Sequence, residues 1–134
     1  MDKETVHKIL GDKFILELIE IVDFQVKKDS AILKVLCIEN DFEKYYQIDF
    51  LEVVAFDFWK NPLDLDNDEL EVDAEEKNLR PLKEVSKYKN MEYHADLINK
   101  IQNPNEFWYL EFIGAAFRLS VVFKEVKKVA VDNK

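Results

Sequence analysis

The chain has 134 residues, a formal net charge of −9, one cysteine and two glycines. A chain of this length buries roughly two-thirds of its unfolded surface, so it needs neither a metal nor a disulfide to hold a core. A 48 % hydrophobic content excludes a disordered chain, and two glycines exclude a glycine-rich phosphate cradle.

The acidic balance argues against nonspecific nucleic-acid binding, which needs clustered Lys and Arg to displace counterions. Cys37 lies in the apolar run Val35-Leu36-Cys37-Ile38, with no neighbouring base or cation to activate it. It reads as a small buried strand residue in a reducing compartment. The polar start, Met1 to His7, is not a signal peptide, and no apolar run approaches a membrane span. These features predict a cytoplasmic protein with no membrane contact.

In chain order, Asp2 to Leu10 predicts a short helix with Asp2 at its N-cap and Val6, Ile9 and Leu10 on one side. Gly11-Asp12 breaks it. Phe14 to Val26 and Ala31 to Ile38 alternate with period two and predict an antiparallel hairpin around Lys27-Lys28-Asp29-Ser30. Tyr45 to Trp59 predicts one long strand, with Tyr46, Ile48, Phe50, Val54, Phe56 and Phe58 on one face. Glu52 interrupts that face, which suggests a β-bulge there. Asn61-Pro62 ends the strand. Residues 64–77 then form a charge run that reads as an acidic loop.

Val85, Tyr88, Met91, Ala95, Ile98 and Ile101 recur at three- and four-residue steps and predict a long amphipathic helix over Leu82 to Gln102. Asn103-Pro104-Asn105 stops it. Phe107–Phe112 and Phe117–Phe123 alternate again and predict a second hairpin turning at Gly114-Ala115. Lys127, Lys128 and the tail after Val131 read as frayed, the last three residues, 132–134, most plainly. The expected fold is α+β: one domain over 1–134, with an antiparallel sheet of about five strands. One long helix covers the sheet, and a short helix precedes it.

The sharpest local pattern is Asp64, Asp66, Asp68, Glu69, Glu71, Asp73 and Glu75, with carboxylates at positions one, three, five and twelve of a calcium-type loop. Glu69 stands where such a loop needs glycine, and Glu71 where it is usually apolar. The run therefore reads as a solvated, partner-facing acidic surface rather than a metal site. His7 and His94 lack paired ligands, and no metal or cofactor is expected. Ser30, Ser86 and Ser120 sit in no nucleophile elbow, so no catalytic residue is assigned. Trp59 and Trp108, at predicted strand ends, join Asp64, Asp66, Asp68, Glu69, Glu71 and Asp73 as candidate partner contacts. The alternative is a ligand or catalytic pocket between sheet and long helix, with Glu52, His94, Glu111 and Arg118 as its polar groups.

The block Asn103-Pro104-Asn105-Glu106-Phe107-Trp108-Tyr109-Leu110-Glu111-Phe112, followed by a further strand, resembles the small acidic immunity proteins of bacterial polymorphic toxin systems. The size, the acidic balance and the sheet–helix–sheet order resemble them too. The resemblance covers the last third of the chain. It implies a protein that binds a toxin domain and blocks it, and an acidic surface would suit a basic partner.

Overall fold

The computed structural model describes residues 1–10, 16–28, 30–39, 44–60, 74–84, 106–114 and 117–131. They form one helix, α1 (Lys3–Leu10), and eight strands. The strands are β1 (Leu16–Val26), β2 (Ala31–Glu39), β3 (Lys44–Val53), β4 (Ala55–Lys60), β5 (Ala74–Pro81), β6 (Trp108–Gly114), β7 (Phe117–Phe123) and β8 (Glu125–Val131). A 3-10 turn at Leu82–Glu84 follows β5.

The strands make two four-stranded antiparallel sheets, ordered β1-β2-β3-β8 and β4-β7-β6-β5. Two bent ribbons join them. β3 runs into β4 through Val54, and β7 runs into β8 through Lys124. The pairing continues across the bend: β3 pairs β8 up to Leu51 opposite Glu125, and β4 pairs β7 from Ala55 opposite Val122. Within the bend, the Val54 amide donates to the Val122 carbonyl at 3.0 Å and the Lys124 amide to the Leu51 carbonyl at 3.2 Å. The corner therefore loses little main-chain bonding. The outer strands β1 and β5 also approach each other, so the sheets wrap around a shared interior.

Period two decides what fills that interior. Leu33, Val35 and Cys37 of β2, Ile48 and Phe50 of β3, Leu110 and Phe112 of β6, and Leu119, Val121 and Phe123 of β7 are fully buried in one cluster. Phe50 and Phe123, one from each ribbon, meet with ring centroids 4.9 Å apart. A smaller cluster of Leu82, Tyr109 and Val122 lies on the opposite face of the β6–β7 pair, with Val54, Ala55 and Phe107 against it.

The helix adds Val6 and Leu10 to the main core. Asp2 caps it: the Thr5 amide donates to Asp2 Oδ1 at 2.8 Å. The Thr5 side chain first, and this amide bond second, hold the Asp2 carboxyl below its ordinary value. Ahead of the cap, the Met1 carbonyl accepts from Trp108 Nε1 at 3.4 Å, and Met1 Sδ accepts from the Val126 amide at 3.3 Å. The N-terminal segment thus covers part of β8, an outer strand whose backbone would otherwise be open to pairing.

The architecture corrects the α+β expectation. The described chain is mostly β, and among the described residues no long helix covers a sheet. Of the predicted helix Leu82–Gln102, Leu82–Glu84 form a 3-10 turn, and the remainder lies outside the described residues. The single strand Tyr45–Trp59 is two strands in different sheets, divided at Val54, two residues after Glu52, whose φ is +52°. The last residues of the acidic run enter β5, and Lys127 and Lys128 are paired in β8 rather than frayed. β5 and β8 are outer strands: β5 has few apolar residues, and those of β8, Val126 and then Val129 to Val131, do not alternate. An outer strand can be charged because one side of it faces water, and charge there discourages pairing between molecules. Their hydrophobic alternation is correspondingly faint.

Candidate functional site

Two features of the β3–β4 corner leave apolar side chains in water. The first is β4 itself, the outermost strand of its sheet. Phe56 and Phe58 point toward the core, as their pairing with Val121 and Leu119 requires. Alternation then turns Asp57 and Trp59 outward, and Trp59 is 56 % exposed. Trp59 pairs with exposed Arg118 of β7, and Ile113 of β6 lies next in the same row. Among the described residues no strand pairs with the other edge of β4.

The second feature is a hollow of about 370 Å³ beside the start of β4. β2 begins at Ala31, opposite Val53, and β4 swings away into the other sheet immediately afterwards. The space left beside β4 is walled by Phe24 and Val26 of β1 and by Phe56. Phe24 and Phe56 stack at 4.9 Å with 25° between their planes. Phe24 and Val26 pair with the buried residues Leu33 and Ala31 and so share the inward face, yet they are 40 % and 77 % exposed. They stand where the interior opens to solvent. Lys27 and Ser30 supply the polar rim, and the Lys27 amide donates to the Ser30 carbonyl at 2.7 Å to close the hairpin turn.

The other predicted positions are scattered. Asp64, Asp66, Asp68, Glu69, Glu71 and Asp73 lie outside the described residues, as does His94. Trp108 faces the core at 5 % exposure, with its indole N–H spent on Met1, so it is not a surface contact. Glu111 and Arg118 share the outer face of β6 and β7: Glu111 opposes Ser120, two residues from Arg118. Glu111 Oε2 accepts from the Tyr109 hydroxyl at 2.8 Å, and Ser120 is buried. Glu52 lies apart at the corner, exposed, where its charge helps raise the pKa of Lys124 behind the larger effect of Glu106, 3.1 Å from Lys124 Nζ. The described lining of the hollow lies at the corner and includes none of Glu52, Glu111 and Arg118; among these three, Glu111 and Arg118 share one face of the β6–β7 pair.

A third polar group, legible only once the register is known, lies at the far end of β3. The Tyr46 phenol lies beside the buried Glu39 carboxylate, and Lys128 Nζ sits 4.7 Å from the Tyr46 ring centre. Burial first, then the Glu39 charge, pushes the Tyr46 phenol above its ordinary value.

Among the described residues no cluster of three His, Cys, Asp or Glu side chains could hold a metal ion, and no helix is long and apolar enough to cross a membrane. Comparison with family models, curated proteins and solved structures finds no match for this chain.

Proposed function

We propose that this chain is a cytosolic protein-binding module whose contact face is centred on Trp59. The observation that carries the reading is a tryptophan more than half exposed on a strand whose other edge is unpaired among the described residues. Burying so large a side chain on association is favourable, and tryptophan is enriched among the residues that dominate interface energies. An open strand edge adds main-chain donors and acceptors that an extended partner segment can use. Asp57, exposed beside Trp59 on β4, places negative charge on this face. With a net charge of −9, that favours a partner with a basic surface.

The narrower proposal is an immunity-type inhibitor that covers the active cleft of a toxin domain. It rests on the sequence resemblance and on charge. Neither reading assigns this chain a catalytic residue.

A photo-crosslinking residue at position 59, expressed in the source cells, tests the module reading. It predicts one discrete crosslinked protein, captured less efficiently as salt rises. A crosslinker at exposed Glu20 serves as the control. Equal labelling from both positions would remove Trp59 from the contact face, and no discrete product from either would remove the protein-binding reading. Inhibition of the captured protein's activity by an equimolar amount of this chain then decides the narrower proposal.

A further inference from the structure

We propose that the hollow at the corner is a binding site for a small amphiphilic carboxylate, an aliphatic or aromatic body carrying one anionic group. This site is separate from the Trp59 face. It lies at the start of β4 rather than its end, and it draws its walls from β1 and the β1–β2 turn.

Volume comes first. About 370 Å³ lies at the lower end of the roughly 300–1,000 Å³ range of small-molecule sites, so the ligand is small. Chemistry comes next. The walls are side chains from which water is readily displaced: Phe24 and Phe56 as a stacked pair, Val26, and Val53 beneath. Val26 and Phe24 face inward by register yet remain in water, so an apolar body placed there completes a burial that the sheet leaves unfinished.

Charge selects the head group. Lys27 is the one charged residue among those described as lining the hollow, and Ser30 adds a hydroxyl donor on the same rim. A cation and a hydroxyl beside an apolar wall suit a carboxylate and disfavour an ammonium head. The 2.7 Å main-chain bond from the Lys27 amide to the Ser30 carbonyl keeps these two lining residues close together.

The test is a nuclear magnetic resonance titration of the full chain with decanoate, kept below its micelle concentration. Decyltrimethylammonium and decanol serve as charge and neutral controls. Decanoate should shift the amides of Lys27, Ser30, Val54 and Phe56 in a saturable manner and bind more tightly than the cation of equal chain length. Lys27→Gln should weaken decanoate about two- to fivefold while leaving decanol unchanged, the size expected of one solvated charge contact. Val26→Ser should weaken both, and its exposed position spares the core. Shifts scattered over the surface, equal binding of the cation, or no saturation at millimolar ligand would each overturn the proposal. The Trp59 crosslinking result is independent of all three outcomes.

Discussion

Glu52 takes a backbone conformation that L-residues avoid, so replacing it should stabilise the protein. Its φ of +52° lies in the left-handed region, where Cβ crowds the neighbouring carbonyl at a cost of roughly 1–2 kcal/mol. Glycine escapes that cost but gives the unfolded chain more freedom, which takes back roughly 0.5–1 kcal/mol. Glu52→Gly should therefore stabilise by a net 0.5–1 kcal/mol or so, about 2–5 °C in melting temperature for a chain of this size. Glu52→Asn, which tolerates the same region, should lie between Gly and Glu. Glu52→Val should destabilise by about 1 kcal/mol or more, because a β-branched residue fits that region worst. Losing the exposed attraction to Lys124 affects all three variants alike, so it cancels in the order among Gly, Asn and Val and costs each the same small amount against the parent. Urea and thermal unfolding followed by circular dichroism read the series. If Glu52→Gly destabilises, or Glu52→Val is neutral, the left-handed corner is not what divides β3 from β4.

Phe50→Ala and Phe123→Ala should each cost about 3–5 kcal/mol, and the double variant should cost less than their sum by roughly 0.5–1.5 kcal/mol because the rings touch. Full additivity in urea unfolding would show that the contact contributes nothing of its own. Tyr46 should ionise above the ordinary tyrosine value, read in an ultraviolet titration as the difference between the parent and Tyr46→Phe. Because the folded phenol is raised above 10.0, its stabilising contribution is complete below that pH and is lost as pH climbs through the folded value. Glu39→Gln should narrow the gap without closing it, since burial is the larger cause. Acrylamide should quench the fluorescence of Trp59 and largely spare Trp108, so Trp59→Phe should remove most of the quenchable signal. Trp108→Ala should cost about 3–5 kcal/mol, whereas Trp59→Ala should stay within about 0.5 kcal/mol of the parent.

The sequence is informative where burial is two-sided or strictly alternating. Val35 and Cys37, Phe117 to Phe123, and the Asp2-capped helix sit as their spacing requires. It is least informative at the sheet edges. Ala74–Pro81 has too few apolar residues for period two to stand out, and those of Glu125–Val131 do not alternate, although both are paired strands. Glu52 marks an irregularity in the alternation, but one carboxylate in an apolar face does not distinguish a bulge from a change of sheet. The register makes that distinction: Leu33 faces Phe50, while Ala31 faces Val53. Trp59 and Trp108 are equally aromatic and equally near strand ends. Only their phase relative to the core separates the exposed ring from the buried one. The hollow was not legible because Phe24, Val26 and Phe56 read as ordinary inward residues. Their exposure arises from where β2 begins.

Because β3–β4 and β7–β8 each belong to both sheets, neither sheet can come apart while the other survives. Of the four edge strands, β4 and β8 belong to the shared ribbons, so unravelling has to start at β1 or β5. The amides of Val54 and Lys124 at the shared hinge should then be among the slowest to exchange with deuterium, even though they lie at strand boundaries, which usually fray first.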